Sequence, residues 1–152
     1  MVQQGQGLKI GELERKYKIP KMEREFVLGK IKGEKTGIEF EGSFKVKTLT
    51  LDDEAQFTVD VDSWIYKASG GHPEGISDGV REYISIKSYL KYAVIDAPEW
   101  YWDFSVNNLD MNVLMEIYIQ ARQIKEKLDE IFLQNEKNLI SDKPVAKDGQ
   151  TA

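Results

Sequence analysis

The chain contains no cysteine and a single histidine, His72, among its 152 residues. The absence of cysteine excludes disulfide bridges, thiolate zinc sites and thiol catalysis, and it fits a reducing compartment. No apolar run approaches the roughly 20 residues that a membrane-spanning helix needs. The first residues also lack the basic start and apolar stretch of a signal peptide. We therefore predict a protein of the cytoplasm with no membrane span.

Patterns typical of a reaction centre or a metal site are also missing. His72 lies in a loop rich in glycine and proline, with no nucleophile nearby in sequence. Residues 60–63 (DVDS) resemble a calcium loop but are not followed by its glycine and glutamate. Three glycines recur every fourth residue from 29 to 37, but between strands and not before a helix, so they make no phosphate cradle. We predict no catalytic residue, no cofactor and no metal.

The net charge of −5 is unevenly distributed along the chain. Residues 1–48 hold 11 Lys and Arg against 7 Asp and Glu, whereas residues 49–152 hold 10 against 19. The asymmetry would steer a basic partner to the C-terminal two-thirds or an acidic partner to the N-terminal third. It is also explained by lysines on the solvent-facing sides of strands and acidic residues on helices. A weak basic patch is formed by Lys30, Lys32, Lys35, Lys45 and Lys47. The overall acidity argues against nucleic-acid binding.

The hydrophobic pattern predicts a small antiparallel ribbon or meander over residues 25–49. Phe44, Val46 and Thr48 alternate with charged or outward-facing positions, which is the period of a half-buried strand. Glycines predict turns at 33–37 and again at 41–43, which divide this segment into two or three strands. Before it, residues 10–17 have the spacing of a short helix.

Three longer segments have helical periodicity. Thr50 and then Ser77 or Asp78 are suited to cap helices at about 51–68 and 78–96. The predicted core stripe of the first helix is Phe57, Val61, Trp64, Ile65 and Ala68. That of the second is broad: Val80, Tyr83, Ile84, Leu90 and Val94, widened by Ile86, Tyr89 and Ala93. A third helix at about 109–137 carries a heptad-like seam of Leu114, Ile117, Ala121, Ile124, Leu128 and Ile131.

These elements together predict an α+β fold, with the ribbon packed on the three main helices. The length suits one domain. We place a disordered N-terminus at residues 1–8, a single α+β domain at 9–140, and a flexible, polar C-terminal tail at 141–152.

The residues best suited to bind a partner lie in two clusters. The consecutive aromatics Trp100, Tyr101 and Trp102 are of the types enriched at interface hot spots, although the same residues would serve to close one end of a helix bundle. Ile117, Ile124 and Leu128 of the seam pack either inside this chain or against another molecule. Both interpretations stay open for both clusters, as does self-association.

The order of elements resembles a known family over roughly residues 26–133. A strand over 44–50 (FKVKTLT) passes directly into the acidic helix start at 51–54 (LDDE), and a later segment at 90–96 (LKYAVID) is followed by Pro98. This succession resembles tail assembly chaperones of long-tailed bacteriophages. The resemblance implies a protein without enzymatic activity that binds the tape-measure protein and tail-tube subunits in the host cytoplasm during tail morphogenesis.

Other functions remain open at this point. One is another phage structural protein, such as a head–tail connector or a minor tail protein, that stays in the virion. Another is a hydrolase in which Glu99 and Asp103, beside the three aromatics, form an acid/base pair. A regulatory adaptor is a third.

Overall fold

The computed structural model describes residues 9–17, 22–103 and 109–144, and it has the α+β architecture that the sequence predicts. Within these ranges three strands and four helices make up the fold, with short 3-10 turns at Pro73–Gly75 and Glu99–Trp102. In chain order the elements are α1 (Ile10–Tyr17), β1 (Glu23–Lys32), β2 (Glu39–Lys47), α2 (Leu51–Ala68), α3 (Asp78–Ala93), β3 (Val94–Asp96) and α4 (Met111–Pro144). No helix in the described part of the chain is long and apolar enough to cross a membrane.

The chain divides into two compact units. The larger one, residues 23–122, contains the sheet, α2, α3 and the first part of α4. The smaller one comprises what is described of residues 1–22 and 123–152, namely α1 and the rest of α4. In the smaller unit Lys125 and Asp129 form an i,i+4 ion pair of 2.5 Å on α4. The single domain over 9–140 stays a prediction.

The sheet is antiparallel with the strand order β1–β2–β3. Phe26 of β1 lies opposite Phe44 of β2, and their rings stack with centroids 5.1 Å apart. The prediction allowed a third strand within residues 25–49, but the third strand lies elsewhere in the chain. It follows α3 directly, where Val94 pairs with Val46. The predicted helix 78–96 is therefore too long by three residues, because those residues extend to hydrogen-bond with β2.

The predicted turn at 41–43 is wrong, because β2 continues through it. Gly42 has a φ of +153° and lies opposite Leu28 in the sheet. The reason for the glycine is a close approach: a Cβ atom there would lie 2.3 Å from Cγ of Pro98. Glycine thus lets the segment after β3 pack flat against the middle of β2.

The two predicted helix caps are confirmed. The side chain of Thr50 accepts a hydrogen bond from the amide of Asp53, whose carboxylate accepts one from the amide of Thr50, which makes a reciprocal capping box. The same carboxylate forms an ion pair with Lys47 at the end of β2. Ser77 caps α3 by accepting from the amide of Val80. The junction between β2 and α2 is therefore held by hydrogen bonds and an ion pair between residues close in sequence.

Helix α3 is the central helix of the larger unit. Its broad apolar stripe is confirmed, with Ile84, Ile86, Tyr89, Leu90 and Ala93 all buried. Val80, however, is 45% exposed and not part of the core. Of the stripe predicted for α2, Ile65 is buried, Phe57 and Val61 are half-buried, and Trp64 and Ala68 are exposed. Helix α2 packs on one side only, so most of its surface remains in contact with solvent.

Helix α4 begins and ends later than predicted. It runs from Met111 to Pro144 and not from about 109 to 137, so the first four residues of the predicted tail, 141–144, are helical. Residues 1–8 and 145–152 lie outside the described ranges, so the disorder assigned to them stays a prediction. Of the heptad-like seam, Leu114, Ile117, Ala121 and Leu128 are buried, Ile124 is half-buried and Ile131 is exposed.

Candidate functional site

The aromatic turn Glu99–Trp102 is fastened to the sheet by its first tryptophan. The indole Nε1 of Trp100 donates a hydrogen bond of 2.9 Å to the backbone carbonyl of Glu41. Its ring also contacts Phe40 and Phe44 of β2, at centroid distances of 4.9 and 5.8 Å. Trp100 therefore anchors the turn to the sheet, with its side chain half-buried.

The next two aromatics divide into one buried and one exposed side chain. Tyr101 is buried with its ring edge-on to Phe44 at 5.4 Å, and this burial raises the pKa of its hydroxyl to about 12. Trp102 is 58% exposed, although its ring is fixed edge-on against Tyr101 at 4.9 Å. Of the three aromatics that the sequence singles out, Trp102 is the one that presents a large apolar surface to solvent.

The seam residues are placed mostly inside the protein. Ile117, in the larger unit, and Leu128, in the smaller unit, are both buried, and Ile124 is half-buried. Their side chains have little surface to offer another molecule in this conformation. A role of these three residues in partner binding stays a prediction, and it would require α4 to move.

Sequence reasoning missed a groove between α2 and α3, with a volume of about 560 Å³. The residues that line it come from one face of α2, one face of α3 and the aromatic turn. They are Asp60, Ser63, Trp64 and Lys67, then Lys87, Ser88, Leu90 and Lys91, then Tyr101 and Trp102. The spacing 60–63–64–67 marks a single helix face, but of these four residues only Trp64 was assigned to a helix face, as part of the predicted core stripe.

The two helices that form the groove run antiparallel. Phe57 of α2 meets Tyr89 of α3 at 6.1 Å, and about two turns further along α2 Trp64 meets Tyr83 at 5.8 Å. The edge-to-face contact with Tyr83 fixes the indole of Trp64, which is still 38% exposed. Two partly exposed tryptophans held by rigid elements therefore border the same groove, Trp64 on α2 and Trp102 on the aromatic turn.

One end of the groove is closed by a polar cluster. The carboxylate of Asp60 accepts hydrogen bonds from the hydroxyl of Tyr92 and, at 3.0 Å, from the ammonium of Lys91. The bond from Tyr92 and then that from Lys91 lower the pKa of Asp60, and the carboxylate in turn raises the pKa of Lys91. The charge of Lys91 is thus already paired inside the protein.

Lys87 is in a different situation from Lys91. Its side chain is half-buried in the groove, and desolvation lowers the pKa of its ammonium group. In the parts of the chain that the structure describes, no hydrogen bond or ion pair compensates this charge. Lys67 likewise has no ionic partner there. With Lys91 and Asp60 included, the groove carries a net charge of about +2 in a protein of net charge −5.

A second polar cluster, also missed from sequence, joins the β1–β2 turn to the start of α4. Asp110 is 0% exposed and accepts hydrogen bonds from the amides of Lys35 (2.9 Å) and Thr36 (3.1 Å) and from the hydroxyl of Thr36 (2.6 Å). Burial acts to raise its pKa, but these hydrogen bonds outweigh burial and lower the pKa overall. A carboxylate held ionised and fully bonded in this way is a structural clamp and a poor general base.

The remaining chemical candidates are scattered over the surface. Glu99 and Asp103 are both exposed. His72 is exposed on its loop, with Nδ1 lying 3.8 Å from a carboxylate oxygen of Glu74. No group of three or more potential metal ligands occurs among the described residues. The groove is therefore the feature of the larger unit that combines shape, apolar surface and charge.

Comparison with protein-family models, with curated proteins and with solved structures found no match to this chain. The resemblance to tail assembly chaperones thus stays a prediction from the order and composition of the elements. The groove and its two tryptophans are the structural basis on which a function can be inferred.

Proposed function

We propose that this chain is a protein-binding domain without enzymatic activity that serves as a tail assembly chaperone of a long-tailed bacteriophage. In this role it holds segments of the tape-measure protein, and recruits tail-tube subunits, in the host cytoplasm before the tail is complete. The single observation that supports protein binding most strongly is the groove between α2 and α3, bordered by Trp64 and Trp102. The phage assignment rests on the sequence resemblance.

The groove has the composition and rigidity of a protein-binding hot spot. Tryptophan buries a large area with few rotatable bonds, so it loses little entropy when a partner covers it. Trp64 is held by Tyr83, and Trp102 by Tyr101, so both rings are already oriented in the free protein. Such preorganisation reduces the entropic cost of binding.

The shape suits a helical client. Two antiparallel helices present a straight channel between them, and the apolar side of an amphipathic helix fits such a channel with anchors at i, i+3 and i+4. The lining of α2 from Asp60 to Lys67 spans about 10 Å. That length matches about two turns of a client helix.

The test is co-purification of the full chain with a tape-measure protein from the same genome. We expect wild type to bind, and Trp102→Ala to weaken binding by roughly tenfold or more, the usual loss for a hot-spot aromatic. Tyr66→Ala is the matched control, because Tyr66 is an exposed aromatic of α2 that does not line the groove. A dissociation constant above tens of micromolar for wild type would overturn the proposal.

Purified virions separate this function from the structural alternative. A chaperone leaves before the tail is complete, so we expect the protein in lysates and in tail precursors but not in finished particles. A fixed number of copies per virion would instead identify a connector or a minor tail protein.

A further inference from the structure

The positive charge of the groove indicates the chemistry of the ligand that it binds. Lys87 lies in the middle of α3, so the negative end of a helix dipole does not account for its position, as it does for a lysine in the last turn. Keeping an ammonium group half-buried without a counter-charge is unfavourable. In the described part of the chain Asp60 is the groove's acidic group, and it is already bonded to Tyr92 and Lys91.

We propose that the groove binds an acidic amphipathic peptide segment, which places a carboxylate against Lys87 and Lys67 and an apolar side chain between Trp64 and Trp102. This inference rests on the proposed function and specifies the chemistry of the client. Trp64 of α2 meets Tyr83 of α3, and Lys87 follows Tyr83 by about one helical turn and lines the same groove as Trp64. The positive charge and the aromatic surface therefore border the same groove. A client helix would supply the carboxylate and the apolar side chain about one turn apart.

Charge complementarity decides between an acidic and a basic client. A basic segment would be attracted to the protein as a whole, whose net charge is −5, but repelled inside the groove, where lysines outnumber Asp60 by three to one. The charge inside the groove outweighs the net charge of the protein, because the half-buried Lys87 is screened less than charges in open solvent. A carboxylate from the client would also bond the Lys87 ammonium and offset its desolvation.

The experiment uses the full chain and two fluorescein-labelled helical peptides that differ at one position. One peptide carries Leu and Glu four residues apart, and the other carries Leu and Gln at the same positions. Fluorescence anisotropy gives both dissociation constants. We expect the Glu peptide to bind roughly tenfold more tightly, the effect of one charge-assisted hydrogen bond in a partly buried site.

Variants of the protein assign this preference to Lys87. Lys87→Met keeps the aliphatic stem and should make the two peptides bind equally, whereas Lys87→Arg should retain the preference. Lys30→Met is the control, because Lys30 is an exposed lysine of β1 outside the groove, 3.9 Å from Glu39. Circular dichroism melting curves verify that all variants are folded.

The outcomes separate this inference from the proposed function. Equal binding of both peptides to wild type, or a full preference in Lys87→Met, would overturn the acidic-client assignment. If the tape-measure protein still binds in a Trp102-dependent way, the proposed function survives that result. If the Glu peptide binds as expected while the tape-measure protein does not, the inference holds for the groove and the phage function fails.

Discussion

The clamp formed by Asp110 predicts a large loss of stability on replacement by alanine. The Asp110→Ala variant removes the acceptor of three hydrogen bonds, from the amides of Lys35 and Thr36 and from the Thr36 hydroxyl. Gly33 packs so closely that a Cβ atom on it would lie 2.3 Å from the carboxylate. The cluster is therefore tight, and the three donors lose their common partner at once.

The expected size of this loss follows from the burial of the group. A hydrogen bond to a charged acceptor contributes about 1.5–3 kcal/mol, and bonds that share one acceptor are not additive. We expect Asp110→Ala to lower the free energy of unfolding by about 3–5 kcal/mol, which is typical when one partner of a buried charged network is deleted. Asp110→Asn keeps the shape and one carbonyl acceptor, so it should lose about 1–2 kcal/mol.

Urea unfolding followed by tryptophan fluorescence measures this loss directly. All three tryptophans belong to residues 23–122, the unit that contains Asp110, so the signal reports the right part of the chain. Asp129→Ala is the control, because Asp129 forms an exposed ion pair that is worth less than about 1 kcal/mol. A loss below about 1 kcal/mol for Asp110→Ala would refute the clamp.

The carboxylate of Asp110 should also make the free energy of unfolding fall in acid. The folded state lowers the pKa of Asp110 from 3.8, so the unfolded chain binds its proton first as the pH falls. The stabilising contribution is complete above pH 3.8 and is lost as the pH drops through the lower pKa of the folded state. The difference in stability between wild type and Asp110→Asn should therefore shrink below pH 3.8. A difference that stays constant with pH would contradict this.

Three further substitutions have defined expected results in urea unfolding. Gly42→Ala should lower the free energy of unfolding by roughly 2–4 kcal/mol, because its Cβ would meet the ring of Pro98 at a positive φ. Gly29→Ala, which has open space around it, is the control and should change stability far less. Thr50→Ala removes a helix cap and should cost about 1 kcal/mol; an unchanged midpoint would refute the cap. Lys87→Met should raise stability at neutral pH, because burial disfavours the ammonium and lowers its pKa below 10.5. This gain should shrink as the pH rises through the lowered pKa of the folded state and vanish above 10.5, where the lysine is neutral in both states; a gain independent of pH would exclude desolvation as its cause.

Local signals in the sequence were sufficient to predict the helices and the antiparallel ribbon, although not all of their bounds. Thr50 and Ser77 act on amides three residues away, so their roles can be recognised without knowing the fold. The alternation through Phe44 and Val46 likewise depends only on which face of the strand is buried. The same holds for the broad apolar stripe of α3. These signals are the reason that the α+β class was predicted correctly.

Long-range contacts decided the features that the prediction missed. Three residues are too few to show a period, so β3 could be recognised only once Val94 was opposite Val46. Gly42 looked like a turn residue, since nothing in sequence indicates that Pro98, more than 50 positions away, packs on it. Asp110 lies at the start of the predicted third helix, and no local signal indicates that its carboxylate binds a turn 74 residues distant.

The candidate site shows the same division between sequence and tertiary structure. The amino-acid sequence alone determined that Trp100, Tyr101 and Trp102 form an aromatic cluster after a proline, but not which ring would remain exposed. Packing on β2 buried Tyr101 and half-buried Trp100, and it left Trp102 exposed beside the groove. Burial depends on what a side chain meets across the fold, and the groove itself exists only where α2 and α3 lie side by side. Sequence thus determines the faces of elements, whereas tertiary contacts decide which faces stay free.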